Sequence, residues 1–224
     1  REGFESILYF KRSRMEVLNN VVETHVFDGE RASTKTGREV LFVGRLTEEK
    51  GIWDLLHVIA DMATDYPDVT FTLAGVAESL EDEARIHAFC EERNIASQIR
   101  FLGQVEGEEK TRAFVSADLF VFPSYEEIFP NVLLEAMAAG LPVVSTRIFC
   151  IPEIVEDGEH GILIEPGDRV ALRTALITLL EDDALRGHIS SANYRRARER
   201  YDVSVAADTL TSVFESVTAR NGRG

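Results

Sequence analysis

The sequence predicts an α/β protein built on a doubly wound parallel sheet, and three observations carry that prediction. From residue 40 onward, short apolar runs rich in β-branched residues alternate with longer amphipathic stretches. The short runs are nearly continuous in apolar residues, which suits strands buried on both faces. At 224 residues the chain is long enough to bury a full core. The alternation then implies parallel strands joined by helical crossovers.

The elements follow in order. VLFVG (40–44) is the first strand and leads through GRLTEEKG (44–51) into a helical pattern near 51–65. VTFTLAG (69–75), IRFLG (99–103), LFVFP (119–123), PVVST (142–146) and GILIE (161–165) supply five more strands. Helical periodicity runs near 79–94, 107–117, 130–139 and 152–157 between them, and helices near 168–181, 183–200 and 204–218 follow. The chain therefore divides into an arm at 1–38, an α/β body at 39–182 and C-terminal helices at 183–224. In such sheets ligands bind beyond the carboxyl ends of the strands, so the loops after residues 44, 75, 103, 123 and 146 form the functional edge.

One of those loops carries EEIFPNVLLEAM (126–137), which sets Glu127 and Glu135 eight positions apart. Pro130 is favoured at the first position of a helix, because its missing N–H is one the helix cannot use. Glu127 then lies on the loop before that helix, while Asn131 and Glu135, four apart, share a face. Leu133, Leu134 and Met137 turn toward a core. The amides of residues 131–133 and the positive end of the helix dipole make a place for an anion. One carboxylate stands before that place and one beside it, which suits a ligand with phosphate in the middle and hydroxyls at both ends. A nucleotide sugar has that shape. An isolated Glu-x7-Glu is more often two solvated surface residues, so the spacing needs support from elsewhere in the chain.

Support comes from GRLTEEKG. Gly44 allows a tight turn, and Arg45 and Lys50 flank a loop at a strand's carboxyl end, where a guanidinium fork and a compact ammonium can both face phosphate. The plain alternative pairs Arg45 with Glu48 or Glu49 on the surface, which is worth little.

Composition narrows the function classes. With 24 Lys and Arg against 39 Asp and Glu, the formal charge is −15, the wrong sign for a nucleic-acid binder. Cys90 and Cys150 give neither a metal spacing nor a disulfide framework, so a reducing, cytoplasmic setting is expected. No strand-end Asp-x-Asp occurs, and the acidic clusters at 81–83 and 181–183 read as charged surface, so no divalent metal and no cofactor is expected. No apolar run reaches transmembrane length. The basic residues from Arg195 to Arg200 read as a solvated face, with peripheral contact to anionic lipid as the alternative. Of the four lysines, at 11, 35, 50 and 110, all but Lys50 read as solvent-facing, and none sits in the apolar setting a Schiff-base lysine needs.

Taken in order and spacing, LFVGRLTEEKG, TLAG, IRFLGQV, ADLFVFPSYEEIFPNVLLEAMAAGLPVVST and IPEIVEDGEHGILIEPGD resemble the C-terminal, donor-binding half of family 4 retaining glycosyltransferases of the two-Rossmann-domain, type B fold. The resemblance covers about residues 17–182, and VLNNVVETHVF (17–27) resembles the segment joining the two halves of such enzymes. It implies a Rossmann-like nucleotide-sugar-binding domain whose donor is a nucleoside-diphosphate sugar and whose acceptor is an unknown glycan, lipid or small molecule. It also implies an N-terminal acceptor domain that this chain, opening at Arg1, lacks.

Carried onto this sequence, Glu127, Arg45 and Lys50 would be catalytic. Arg45 and Lys50 would hold the diphosphate, Glu127 the transferred sugar and Glu135 the ribose hydroxyls. Gly44 and Phe129 would shape the site, amides around Asn131, Val132 and Leu133 would cap the phosphate, and Gly103 and Val105 would line the base pocket. The chain departs from the family pattern where Ile128 replaces a Gly after the first glutamate, and where Phe149 and Cys150 replace a Gly-Gly pair. Side chains there reshape the sugar pocket, and a second reading, a non-catalytic nucleotide-sugar sensor or scaffold, follows if they close it. Cys150 itself reads as a small buried thiol without chemistry.

Overall fold

The structure, a computed structural model, describes residues 18–28 and 38–221. Six strands, β1 (Glu39–Val43), β2 (Thr70–Ala74), β3 (Ile99–Gly103), β4 (Leu119–Phe122), β5 (Val143–Thr146) and β6 (Gly161–Ile164), form one sheet in the order β3-β2-β1-β4-β5-β6. All five pairings are parallel. Each strand lies within a residue or so of its expected place, because the apolar runs are the strands themselves, buried throughout or nearly so except at the edge strand β3, where Arg100 is exposed. The expected arm at 1–38 falls mostly outside the described residues, as do Lys11 and Lys35; what is described of it is 18–28 and residue 38.

Eight helices join and follow these strands among the described residues. They are α1 (Ile52–Met62), α2 (Leu80–Glu92), α3 (Gly107–Ser116), α4 (Asn131–Ala138), α5 (Ile151–Ile154), α6 (Arg169–Glu181), α7 (Asp183–Arg196) and α8 (Val203–Asn221). The order of the sheet reverses between β1 and β4, where Val40 pairs with Leu119 and Leu41 with Phe120. Loops from those two strands diverge to opposite faces, leaving a crevice at their carboxyl ends. The 44–51 and 123–130 segments therefore share one crevice although they are far apart in the chain.

Aromatic side chains run through the core at this point. Phe42 and Phe122 lie 6.2 Å apart, Phe120 and Phe122 6.1 Å, Phe114 and Phe120 5.5 Å, and Phe27 meets Phe114 edge-on at 5.9 Å. Burying each such ring contributes roughly 2–3 kcal/mol. Through Phe27, a short 3-10 turn at Thr24–Phe27 is anchored against α3.

Sequence reasoning places Pro130 as the first helical residue; the structure places it one position earlier, as the N-cap. Its φ of −79° suits either place, but its ψ of 104° is extended, and proline fixes only φ. The helix therefore starts at Asn131, and the Pro130 carbonyl accepts from the Leu133 amide at 3.1 Å.

The described segment 18–28 is tied to the C-terminal helices. Val22 bridges to Asp202, the Val22 amide donates to the Tyr201 carbonyl at 2.8 Å, and the Thr24 hydroxyl donates to Asp202 at 2.5 Å. The hydrogen bonds from Ser204, followed by those from Thr24, hold the Asp202 carboxyl well below the usual carboxylate range. Of the basic residues at 195–200, Arg198 stacks on Tyr194 and pairs with Asp28, and Arg196 donates to the Glu153 carbonyl at 2.9 Å. Among the described residues no helix is long and apolar enough to cross a membrane.

Candidate functional site

Gly51 decides how closely the first loop approaches the second. It has φ +72°, and a Cβ placed on it would fall 2.1 Å from the Pro123 carbonyl oxygen. Only glycine meets both demands, so the end of the 44–51 loop rests directly on the end of β4. The Tyr125 amide then donates to the Glu49 carbonyl at 2.8 Å, and the buried Ser124 hydroxyl lies 3.2 Å from that carbonyl and 3.0 Å from the Glu126 carbonyl. From below, the Thr146 hydroxyl donates to the Ser124 carbonyl at 2.6 Å and the Ser145 hydroxyl to the Phe122 carbonyl at 2.8 Å. Buried hydroxyls thus satisfy the carbonyls that the parting strands leave behind.

This framework brings Lys50 to Glu127 across the switch point. Lys50 Nζ lies 2.5 Å from Glu127 Oε1 and 3.1 Å from the Glu126 carbonyl, with the two side chains only 18% and 13% exposed. Arg45 stays outside this cluster. Its side chain is 57% exposed and 3.5 Å from Glu49, the surface pairing that sequence reasoning offers as the plain alternative.

A second anchor fixes the same loop. Tyr125 Oη donates to Asp54 Oδ2 at 2.5 Å, and Arg169 Nε donates to Asp54 Oδ1 at 2.6 Å. The hydrogen bond to Asp54, more than burial, pushes the Tyr125 phenol up to about 12. Neither Asp54 nor Arg169 stands out in the sequence, because their meeting depends on α1 packing beside α6.

A cleft of about 1020 Å³ opens along α3 and α4, lined among others by Val105, Gln104, Lys110, Asn131, Glu135 and by Val22 and Phe27 of the 18–28 segment. Asn131 and Glu135 share its wall, as their four-residue spacing requires. Lys110 corrects an expectation. Instead of facing solvent, it reaches from α3 to Glu135 and donates to Oε1 at 2.7 Å. Glu135 Oε2 is buried and has no hydrogen-bond partner among the described residues.

Of the other expected residues, Gly103 ends β3 at φ +68° and lies outside the cleft lining, which Val105 enters. Gly44 closes β1, its amide donating to the Ala74 carbonyl at 3.0 Å. Leu133 is fully buried, and Phe129 and Val132 pack partly buried against the core. The amides of Asn131 and Val132 have no partner among the described residues, whereas that of Leu133 is taken by Pro130. Asn131 is also tied to the linker, its Oδ1 accepting from Asn20 Nδ2 at 2.9 Å.

The residues that depart from the family pattern lie beside Glu127 but do not fill its surroundings. Ile128 is 93% exposed and Phe149 75% exposed. Phe149 takes φ +41°, the left-handed conformation that a glycine adopts without strain. Cys150 Sγ donates to the Ile128 carbonyl at 2.6 Å and so joins the two loops. Burial, and to a lesser degree Glu153 and Glu127, raise its thiol pKa against the lowering effect of a backbone hydrogen bond, so Cys150 is neutral. Among the described residues no group of three or more His, Cys, Asp or Glu is arranged to hold a metal ion.

A crevice at the topological switch point that holds a largely buried ion pair is where doubly wound sheets bind ligands. The chain belongs to the glycosyl transferases group 1 family, whose model matches residues 26–196. It is 37% identical over 191 residues to the phosphatidyl-myo-inositol mannosyltransferase of Mycobacterium leprae, a match covering 84% of this chain and 49% of that protein. The chain thus spans about half the length of the curated relatives it matches. Among solved structures it is similar to HepE of Anabaena in complex with UDP, with a TM-score of 0.78 and 25% identity over 90% of this chain and 57% of that one. It is similar also to the C-terminal domain of a glycosyl transferase group 1 family protein (LpcC) of Francisella tularensis, with a TM-score of 0.73 and 26% identity over 81% of this chain and 99% of that one.

Proposed function

We propose that this chain is the donor-binding half of a retaining glycosyltransferase that takes a sugar from a nucleoside diphosphate without a metal ion. The observation that carries the proposal is the meeting of Lys50 and Glu127 at the switch point, with α4 running from there to Asn131 and Glu135 in the wall of the cleft. The UDP bound by HepE and the mannosyl transfer named for the mycobacterial relative support it.

In this reading the nucleoside lies in the cleft, with Val105 along the base and Glu135 Oε2 accepting from the ribose hydroxyls. The diphosphate rests before α4, on the amides of Asn131 and Val132, with Lys50 as its near cation and Arg45 swinging in from the surface. Glu127 faces the transferred sugar. As the sugar–phosphate bond lengthens, negative charge grows on the departing phosphate and positive charge on the sugar ring. The cations and amides stabilise the first and the Glu127 carboxylate the second. Each preorganised donor of this kind is typically worth about 3–4 kcal/mol, roughly a hundred- to a thousandfold in rate. The acceptor, and the half that holds it, come from outside this chain. Front-face attack, on the side the phosphate leaves, retains the configuration of the sugar.

Calorimetric titration with UDP, GDP and ADP and their sugar conjugates, without metal and then with magnesium, tests this reading. Metal-independent binding of one conjugate more tightly than its bare nucleotide is the expected result. Equal affinity for nucleotide and conjugates would describe a nucleotide-binding module instead. Absence of binding would overturn the donor site.

A further inference from the structure

Lys50 is given two tasks by the geometry and the proposed function together. In the structure its ammonium is held by Glu127 Oε1 at 2.5 Å and by the Glu126 carbonyl at 3.1 Å, with the Ser124 hydroxyl 3.5 Å from the same Glu127 oxygen. Both charges are largely withdrawn from water. A carboxylate in this position satisfies Lys50 as a phosphate oxygen would, with the same charge-assisted hydrogen bond. Carboxylate and phosphate are like charges, and close to one ammonium they repel each other.

We infer that Glu127 is an internal stand-in for the donor's diphosphate: in the free protein it occupies Lys50, and an arriving diphosphate must displace it. This inference rests on the donor-binding reading above and assigns the site a regulation. The displaced carboxylate turns to the sugar, the one ligand group that offers it hydroxyls and a growing positive charge. A bare nucleoside diphosphate breaks the ion pair and receives nothing in return, whereas a sugar conjugate gives Glu127 a new partner. The site therefore favours the intact donor over its own product. After transfer the carboxylate loses the sugar and competes again for Lys50, which drives the nucleoside diphosphate out. Arg45, outside this cluster, is engaged on the exposed side by Glu49.

The test compares UDP and GDP, bare and as sugar conjugates, binding to the wild-type chain, Glu127→Gln and Glu126→Gln. Lys50 contacts residue 126 through its backbone carbonyl alone, so Glu126→Gln removes a neighbouring charge and reports through-space repulsion by itself. Glu127→Gln is expected to bind bare nucleoside diphosphate roughly three- to thirtyfold more tightly than wild type, with the change in the off-rate. Its preference for the sugar conjugate disappears, and Glu126→Gln moves little. Bare-nucleotide affinity that is unchanged or lowered in Glu127→Gln, or raised equally in Glu126→Gln, overturns the stand-in and leaves the donor site intact. Absence of binding to wild type and variants alike overturns the donor site and the stand-in with it. If Glu127→Gln does not fold, a structure of the wild-type chain with bound UDP or GDP decides. Separation of Lys50 from Glu127 supports displacement, and an intact pair beside bound phosphate refutes it.

Discussion

Lys110 Nζ lies 2.7 Å from Glu135 Oε1, a contact that ties α3 to α4 along one wall of the cleft and leaves Oε2 of the same carboxylate buried and unpartnered among the described residues. A carboxylate held at one oxygen by a cation has its orientation fixed and presents the other oxygen as an acceptor. Glu135→Ala is expected to weaken nucleotide binding about ten- to a hundredfold, the worth of hydrogen bonds to a charged group. The same change removes the preference for a ribonucleotide over its 2′,3′-dideoxy analogue, which calorimetry with both ligands reads directly. A preference that survives in Glu135→Ala assigns the ribose to other residues.

Gly51→Ala places a Cβ against the Pro123 carbonyl in a left-handed backbone. Both effects act together, and a loss of about 3 kcal/mol or more in urea denaturation is expected. A variant within 1 kcal/mol of wild type would show that the 44–51 loop can lift from β4 at little cost, contrary to the close approach described above.

Phe149→Gly runs the other way. Phe149 is mostly exposed, so little burial is lost, while a left-handed conformation costing about 1–2 kcal/mol is relieved. Glycine's extra freedom in the unfolded chain takes back roughly 0.5–1 kcal/mol. The net expectation is a melting temperature higher by about 1–3 °C, and a fall would show that the Phe149 ring packs more than its exposure indicates.

His160 sets a pH dependence. Burial, followed by the nearby Arg196 guanidinium, holds its imidazole below the ordinary 6.5, and its Nδ1 is buried without a hydrogen-bond partner among the described residues. The unfolded chain therefore takes up this proton first as pH falls. The stability contributed by the neutral ring is complete above about pH 6.5 and is lost as pH drops through the lowered native value. His160→Leu keeps the backbone carbonyl that accepts from Asn193 Nδ2 at 2.8 Å and removes the titration. Between pH 7.5 and 5 its melting temperature should fall less steeply than that of wild type; parallel curves would remove His160 as the cause.

How much of this was legible in the sequence depends on the range of the interaction. The strands were legible because a strand buried on both faces must be apolar throughout, and VLFVG or LFVFP leave little choice. Asn131 beside Glu135 was legible from helical spacing alone. The sequence puts Pro130 inside the helix and the structure puts it at the N-cap, because proline restricts φ and leaves ψ open, and ψ is what excludes it from the helix. Lys110 reads as solvent-facing in the sequence because it follows Glu108 and Glu109 in a charged run, and only the packing of α3 near α4 gives it a partner. Phe27 belongs to a polar, weakly patterned stretch, and its ring partner Phe114 lies 87 positions on, beyond the reach of any periodicity. The bond from Cys150 to Ile128 depends on two irregular loops, whose shapes no short-range preference fixes.

The bridge between Val22 and Asp202 has a mechanical meaning. Because the segment entering the sheet and the helix leaving it are clasped together there, a pull between residue 18 and the end of α8 meets the bonds of Val22, Thr24 and Asp202 first. The six-stranded sheet lies inside the clasped loop and carries no tension until that clasp opens. In a single-molecule stretching trace the clasp would give an early, low-force event separate from sheet rupture. Asp202→Ala removes the Thr24 bonds and keeps the Val22 backbone bond, so it should lower the force of that event while leaving the later one in place, and an unaltered trace would mean that the load takes another path.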